Sequence, residues 1–469
     1  MIRLLATTAL GFLAALSRPI HAAAYYYPDS GTRCIARGCA IIASVDDLTA
    51  LYHNPAALIR LEEPRVFASL TGVKQSVAFD RADEPGLTFD TVHNEAPWIA
   101  IPALGVSSTL GVPRTTFGVG LITPQAPDYA YPPDGPQRYI LVDALWWQFG
   151  GVASVAHRVT DRISLGLGLQ WWVLRIEERL KASSGIEGVE FSEDPARDLQ
   201  VSLRACDRFT PSVNAGALVD PLPWMTLGVS VQPPIHFEAA GSLATDFTGH
   251  AWSGTLIDGE VFADDDVRVL MSVPLLVRGG VQVRPTKRTD LEFALVFEDW
   301  STFDVVTVTD MDLVIRTQRS FLEEDAVVTD DVELVAGYQD AWSFRLGGAV
   351  DLSDRVTARL GTLYETSGVP RRTQGVGLVD GDKWGVGTGA TVRLGPLDLD
   401  LAAAQQFVAN RHIEDSLLKQ LVLVVDPTHP ESSKVTQGKT VGNGHFTSRL
   451  LYVSAALSWR FGTPTGTRG

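Results

Sequence analysis

The sequence predicts an all-β protein: a fourteen-stranded antiparallel transmembrane β-barrel with a small N-terminal helical hatch plugging the lumen. Three observations lead to this prediction. From residue 64 onward, apolar and polar residues alternate in segments of about ten, which is typical of membrane barrels. Short turns and longer loops alternate between these segments, as in an up-and-down barrel. Before the first segment, residues 31–61 have the pattern of helices and tight turns.

Composition agrees with one large exported sheet. The 469 residues include 42 Gly and 11 Trp, which favour strands over a Leu-rich helical core. The net charge of -16 disfavours nucleic acid as a partner, because phosphate binding needs a basic surface. No stretch after residue 24 reaches about 18 uninterrupted apolar residues, so no membrane-spanning helix is predicted.

The first 24 residues have the layout of a secretory signal peptide, with Arg3, an apolar run and small residues near Ala24. We therefore divide the chain into a signal peptide, a hatch, a barrel and a C-terminal tail, at residues 1–24, 25–63, 64–461 and 462–469. In an oxidising compartment Cys34 and Cys39 are close enough in sequence to form a disulfide, which would leave Cys206 free.

Within the hatch, the sequence predicts two short helices separated by a turn. Ser44, followed three residues later by Asp47, predicts an N-cap for a helix through Tyr52. Asn54 before Pro55 predicts a second N-cap, because Asn supplies an acceptor and Pro is tolerated at the first helical position. Such a helical pair could be only a packing unit. Because the pair precedes the first strand of a large barrel in the sequence, we predict that it folds into the lumen as a plug.

The alternation predicts the position of each barrel strand. Because the number of strands is even, the C-terminus lies on the same side of the membrane as the hatch. About eight strands can be filled by their own side chains, so fourteen leave a sizeable lumen that needs a plug. Tryptophans near predicted strand ends are candidates for interfacial belts; these are Trp98, Trp146, Trp171, Trp224, Trp300 and Trp459. The predicted strands are 64–80, 97–108, 115–123, 138–158, 161–180, 205–219, 224–240, 268–285, 288–303, 341–352, 355–367, 383–394, 397–409 and 446–461.

No catalytic constellation, metal site or cofactor site is recognisable. The 9 His are scattered, and no HExxH or GxSxG motif occurs. The string Gly385-x-Gly387-x-Gly389 lies inside an alternating segment and not between a strand and a helix, so it predicts barrel glycines and not a phosphate loop. We expect no cofactor and no enzymatic activity.

Three arginines are the candidate charged residues of the lumen. The alternation of apolar and polar residues predicts that the side chains of Arg278, Arg345 and Arg359 point into the lumen. At ~3.3 Å per residue, the three lie some 17 to 26 Å above the periplasmic turns. Because lumen walls are generally polar, the simpler interpretation is a ladder with Glu292 that stiffens the wall. The functional alternative is a clamp for the carboxylate of a ligand, because the guanidinium fork matches a carboxylate.

The hatch sequence resembles the N-terminal hatch of FadL-type (OmpP1/FadL/TodX) outer-membrane transporters. The pair Cys34 and Cys39 departs from that family pattern. The matching segments are Arg37-Gly38-x-Ala40, Asp46-Asp47, Ala50-Leu51-Tyr52 and Asn54-Pro55-Ala56, with later matches at Pro136-x-Arg138-Tyr139, Asp299-Trp300-Ser301-x-Phe303-Asp304 and Ser458-Trp459-Arg460-Phe461.

The resemblance implies an outer-membrane channel for passive uptake of hydrophobic small molecules, with long-chain fatty acids as the first candidate and neutral aromatic or other hydrocarbons as the alternative. It also implies ligand capture between two outer loops, at residues 181–204 and 241–267, although apolar loop residues can instead pack on the loop itself. The apolar residues concerned are Phe191, Trp252, Leu256 and Ile257.

Two alternative functions of a different class are also compatible with the sequence. In one, the chain is a structural or adhesive barrel whose acidic loops carry the function, and in the other it is a lipid hydrolase embedded in a barrel. The partners expected from the resemblance are a hydrophobic small molecule and outer-membrane lipid. We expect the protein to be a monomer.

Overall fold

The computed structural model describes residues 31–186, 193–255, 257–302, 305–310, 312–316, 318, 326–328, 332–335, 337–425 and 434–461. The predicted signal peptide and C-terminal tail lie outside these residues. None of the helices in the described part of the chain is long and apolar enough to cross a membrane.

Fourteen long strands form one antiparallel barrel. They are β1 (Arg65–Arg81), β2 (Ile99–Ser108), β3 (Thr115–Gln125), β4 (Asp143–Thr160), β5 (Ile163–Ile186), β6 (Asp198–Leu222), β7 (Met225–Gln232 and Ile235–Asp246), β8 (Val261–Val273 and Leu276–Thr286), β9 (Thr289–Glu298), β10 (Ala341–Ser353), β11 (Val356–Glu365), β12 (Lys383–Leu394), β13 (Leu397–Val408) and β14 (Gly444–Arg460). Each pairs with the next along the chain.

The sheet closes because β14 also pairs with β1, from Arg65 opposite Arg460 to Arg81 opposite Gly444. This closure confirms the predicted fourteen-stranded antiparallel barrel. Turns of two to six residues, such as 161–162 and 287–288, join strands at the end where β1 begins and β14 ends. The longer connections all lie at the other end, so the predicted alternation of turns and loops is confirmed.

The long connections carry short elements of their own. The strands among them are Val92–His93, Asp128–Ala130, Val305–Thr309, Leu313–Ile315, Ala326–Val328, Val332–Val335, Arg411–Ile413, Lys419–Val425 and Lys434–Thr440, and the 3-10 helices are Pro195–Arg197, Trp300–Thr302 and Arg371–Thr373. The segment Lys419–Val425 pairs in parallel with the upper end of β5, from Val422 opposite Ser183 to Val425 opposite Ile186.

The wall is taller at β5 to β8 than the sequence predicted. The strand pair β5–β6 continues to Ser183 opposite Asp198, so the predicted loop 181–204 shrinks to 187–197. Likewise β7 and β8 continue into the predicted loop 241–267, which shrinks to 247–260. Prolines at 233–234 and 274 interrupt β7 and β8, because proline cannot donate to a strand ladder.

The outer surface of the barrel is apolar, as predicted from β14. Leu451, Val453 and Leu457 are exposed on that strand, whereas Tyr452 and Ser454 are buried. Trp98, Trp224 and Trp459 are exposed near strand ends, where an interfacial belt would lie. The belt prediction is wrong for Trp146 and Trp300, because both are buried and donate their indole N–H to carboxylates of Glu178 and Glu298.

The hatch is buried and touches strands around the barrel wall, so it occupies the lumen. It contains helix α1 (Thr32–Ala36), helix α2 (Ala50–His53) and the 3-10 helix Pro55–Arg60. The predicted cap at Asn54 is confirmed, since its side chain accepts from the Ala56 amide at 3.1 Å. The predicted helix start at Ser44 is wrong, because the Asp47 carboxylate instead accepts from the Thr49 amide and delays the helix to Ala50.

A disulfide joins Cys34 to Cys39, and Cys206 is a free thiol. The turn between the two cysteines contains Gly38, whose φ of 55° favours glycine. Because the Gly38 Cα lies against the backbone of Thr362 on β11, the closed turn fits tightly against the wall.

Glycines on the inner wall let the hatch backbone approach the strands closely. A Cβ atom added at these positions would lie 1.9 to 2.7 Å from backbone atoms of the hatch, nearer than real Cβ contacts allow. Gly387, placed by sequence within a strand, is one of them, because its Cα faces the Ile35 carbonyl. The five positions are Gly166, Gly228, Gly347, Gly361 and Gly387.

We expect Gly361→Ala to loosen the hatch, because the new methyl would overlap the Arg37 backbone at 2.0 Å. Overpacking of this kind costs about 1 to 3 kcal/mol. The measurement is trypsin cleavage after the hatch arginines, which should become faster in the variant. Gly279→Ala on β8 is the matched control, since nothing lies within 4 Å of its added Cβ. Equal cleavage of both variants would contradict the close fit.

Candidate ligand-binding site

A buried cluster of charges fastens the hatch to the wall. Arg33 on α1 donates its Nε to Asp400 of β13 at 3.0 Å, and its Nη2 lies 3.3 Å from Asp398 on the same strand. Within the hatch, Nη1 contacts Asp46 at 2.9 Å, and Asp47 lies 3.9 Å away. Arg33 therefore faces four carboxylates, two from the hatch and two from the barrel.

The carboxylates around Arg33 keep its guanidinium group protonated. Burial by itself lowers the pKa of Arg33, but the carboxylates of Asp46, Asp400 and Asp47 outweigh burial and raise the pKa well above its ordinary value. Burial also raises the pKa of Asp47, against the opposing effect of Arg33. A permanently charged guanidinium therefore anchors α1.

Hydrogen bonds to backbone groups hold the other side of the hatch. The Asn214 side chain of β6 donates to the Leu51 carbonyl at 2.8 Å, and Ser230 of β7 donates to the His53 carbonyl at 2.6 Å. Glu292 of β9 accepts from the Ala43 amide at 2.9 Å. Glu292 thus binds the hatch, which is a different role from the predicted arginine ladder.

The three candidate arginines are buried and face the lumen, as the alternation predicts, but they contact three different groups. Arg278 lies over the Tyr52 ring at 4.8 Å, Arg345 lies 3.6 Å from Glu365, and Arg359 lies 3.9 Å from Asp400. These contacts support their role in stiffening the wall and the hatch. Binding of a ligand carboxylate by these arginines stays a prediction.

An apolar cavity of about 450 Å³ lies above the hatch, in the half of the barrel that carries the long loops. Its volume falls in the range of small-molecule sites. A smaller void of about 110 Å³ shares five lining residues with it, and the two lie end to end along β5 and β6. We call the two together the extracellular cavity. The shared lining residues are Glu178, Leu180, Leu203, Val308 and Leu421.

Among the described residues, Glu178 and Lys419 are the charged side chains that line the extracellular cavity. Glu178 accepts from the Trp146 indole N–H at 2.5 Å, and Lys419 begins the short strand that pairs in parallel with the upper end of β5. The Tyr139 hydroxyl donates to Asp198 at 2.7 Å, and Arg138 contacts the same carboxylate at 2.7 Å. The sequence motif at residues 136–139 therefore fixes one wall of the cavity to the start of β6.

The cavity residues were missed by the sequence analysis, although a signal exists on β5. The inward face of its upper half carries Leu174, Ile176, Leu180 and Ala182, interrupted only by Glu178. Inward faces of barrel strands are normally polar, so an apolar inward run marks a ligand cavity. The candidates predicted from the sequence for the lumen were charged residues, so this apolar run was not among them.

Two of the four residues predicted to capture the ligand lie within the described part of the chain. Trp252 and Ile257 are buried in the 247–260 loop, where the Ile257 amide donates to the Trp252 carbonyl at 3.0 Å. Neither side chain lines the extracellular cavity as the described residues define it. Phe191 and Leu256 lie outside the described residues. Capture of a ligand by these four residues stays a prediction.

Comparison with known proteins places the chain in a family. A family profile described as "Outer membrane protein transport protein (OMPP1/FadL/TodX)" matches residues 13–440. No curated protein sequence matches the chain.

Solved structures show the same fold at low identity. A FadL homologue of Pseudomonas aeruginosa is 18% identical with a TM-score of 0.73, and the match covers 94% of this chain and 100% of that one. The Pseudomonas putida toluene transporter TodX is 14% identical with a TM-score of 0.65, over 95% and 100% of the two chains. The Ralstonia pickettii toluene transporter TbuX is 14% identical with a TM-score of 0.62, over 93% and 99%.

We expect Arg33→Gln to destabilise the hatch by about 3 to 5 kcal/mol, because it leaves buried carboxylates without their cation. Hydrogen exchange of the backbone amides at 31–61 measures this loss. Arg114→Gln is the control, since Arg114 forms an exposed pair with Asp161 at 2.8 Å and such pairs contribute about 0 to 1 kcal/mol. Unchanged exchange in Arg33→Gln would contradict the anchoring role.

Proposed function

The chain belongs to the OMPP1/FadL/TodX family of outer-membrane transport proteins, and from this premise we propose that it is a passive channel whose first internal binding site is the extracellular cavity. The protein is thus an outer-membrane channel for hydrophobic compounds, from a family of transporters. Its particular cargo, its route and its monomeric state are proposals.

The observation that carries the proposal is the apolar lining of the extracellular cavity. Burying apolar surface stabilises a bound ligand by about 25 cal/mol per Å². A hydrophobic molecule from outside would therefore bind there without any energy source. No energy-coupling motif occurs in the sequence, which fits diffusion down a gradient.

Passage beyond the cavity requires the hatch to move or to deform. The hatch fills the lumen below the cavity, and hydrogen bonds and ion pairs to the wall hold it beside its apolar contacts. Polar contacts can exchange with water at modest net cost. We propose that bound cargo shifts this equilibrium without unfolding the barrel.

Long-chain fatty acids are the first candidate cargo. The cavity and its smaller extension form one elongated apolar volume, which suits an acyl chain. A carboxylate needs a cation in a partly desolvated site. Lys419 at the cavity, and Arg278, Arg345 and Arg359 deeper in the lumen, are the candidates for that role.

Neutral hydrocarbons are the second candidate cargo, and the position of Glu178 in the cavity favours them. Its carboxylate lines the cavity beside Trp146, where an ionised group would repel a fatty-acid carboxylate. An uncharged aromatic molecule meets no such repulsion. The toluene transporters with the same fold are named for such cargo.

Uptake into proteoliposomes tests the proposal, with palmitate and toluene compared in parallel. Leu203→Trp should lower uptake of the true cargo by about an order of magnitude, because the indole occupies volume that the ligand needs. Leu167→Trp is the matched control, since Leu167 lies on the exposed outer face of β5. Absence of protein-dependent uptake of either compound would refute the channel proposal.

Charge variants in the same assay separate the two cargo classes. If palmitate is the cargo, Lys419→Gln or Arg345→Gln should weaken its binding by about 1.5 to 3 kcal/mol, the range for charged hydrogen bonds, and spare toluene. If toluene is the cargo, both variants should leave uptake unchanged, and Glu178→Gln should admit palmitate. Equal losses for both compounds would assign these residues to the wall alone.

A further inference from the structure

We propose that the periplasmic mouth holds a binding site for the carboxylate or phosphate group of a small anion. The site lies between the hatch and the wall from β8 to β12, at the end of the barrel opposite the extracellular cavity. It shares no residue with that cavity, so it does not depend on which cargo the channel carries. We call it the periplasmic basin.

The periplasmic basin is a cleft of about 270 Å³. Its lining carries seven cationic side chains and three carboxylates, in a chain whose net charge is -16. Such a local excess of positive charge in a cleft concentrates anions. The cationic residues are Arg37, Arg60, Arg284, Lys287, Arg288, Arg359 and Arg393, and the acidic residues are Asp46, Asp290 and Asp351.

Each carboxylate of the lining already faces an arginine. Asp46 pairs with Arg33 at 2.9 Å, outside the lining. Asp290 pairs with Arg37 at 2.6 Å, and Asp351 lies 3.4 Å from Arg393. The acidic groups are therefore neutralised within the wall and the hatch, and the remaining field of the basin is positive.

Several of the cations have donor capacity left. Arg60 donates to the carbonyls of Val45 and Ala43 at 3.1 and 2.6 Å, and none of the described residues places a carboxylate within 4.0 Å of it. The Nε of Arg37 is buried and has no hydrogen-bond partner among the described residues. Lys287 forms no ion pair with a described residue.

Three other cations lie far from their carboxylate partners, although Arg284 also donates to Gln282 and Arg359 to Thr391. Arg284 lies 4.0 Å from Asp220, Arg288 lies 3.8 Å from the exposed Asp354, and Arg359 lies 3.9 Å from Asp400. The Arg284 and Arg288 pairs are exposed to solvent, and long exposed pairs are weak. A compact anion with several acceptor oxygens would satisfy the free donors of Arg60 and Arg37 together.

The ligand chemistry follows from the donors. Guanidinium groups bind carboxylate and phosphate through paired N–H donors. Because Arg37 and Arg60 belong to the hatch whereas Arg284 and Arg393 belong to the wall, one bound anion would bridge the two. The anion would thereby stabilise the plugged state.

Two sources could supply such an anion, namely a carboxylate that has passed the hatch and a free phosphate of the periplasm. We test the site with trifluoroacetate on the full-length protein in neutral detergent, with ¹⁹F NMR as the readout. We expect saturable binding by the wild-type protein. Hexanoate and inorganic phosphate then serve as competitors, and displacement by hexanoate alone, by phosphate alone or by both identifies the source while supporting the site.

Arg60→Gln and Arg393→Gln should each weaken trifluoroacetate binding about tenfold or more, the change that about 1.4 kcal/mol produces. Arg60→Lys keeps the charge and should recover part of the affinity. Among the described residues, Arg393 contacts only wall groups, so its variant stays informative if Arg60→Gln loosens the hatch. Arg162→Gln, on an exposed turn at the same end, is the matched control. No saturable binding, or equal binding in all variants, would overturn the proposal.

Discussion

The buried contact between Arg33 of the hatch and Asp400 of β13 is the interaction on which the rest of the structure depends. A fourteen-stranded barrel encloses more space than its own side chains can fill. The hatch fills that space, and the buried ion pair fixes α1 on one side while hydrogen bonds from the wall hold the other side. Replacing a whole buried pair by apolar groups can be harmless, whereas removing one partner is costly. Loss of Arg33 or of Asp400 alone would therefore be costly for the plugged state.

The hatch position divides the inside of the barrel into three chemically different regions. The upper region is largely apolar and lined by β4 to β6 and by the long connections, with Glu178 as the acidic residue among the described lining. The middle region is formed by the hatch itself, which approaches glycines of the wall too closely for any side chain to intervene. The lower region is polar and rich in arginine. An amphipathic molecule moving inward would pass from apolar contacts to cationic ones.

Much of the barrel was predictable because period-two alternation is a local property of the sequence. Strand number, closure and the sides of the turns all follow from it, as β14 shows. The pairing of residues far apart in sequence was not predictable. Nothing local shows that Glu292 binds the hatch amide of Ala43, or that Arg359 approaches the anchor at Asp400. The alternation predicted that Arg278, Arg345 and Arg359 point into the lumen. Their contacts depend in part on the position of the hatch in the lumen, which the alternation does not predict.

Single-channel conductance of a variant lacking residues 25–60 tests the central claim, that the hatch is what closes this barrel. The deletion removes Arg33 and the hatch residues 43, 51 and 53 that the wall holds by hydrogen bonds, and leaves all fourteen strands in place. The account predicts an inserted barrel with a large, unselective conductance, because fourteen strands leave a sizeable lumen. A correctly inserted variant with a current as small as that of the intact protein would contradict it.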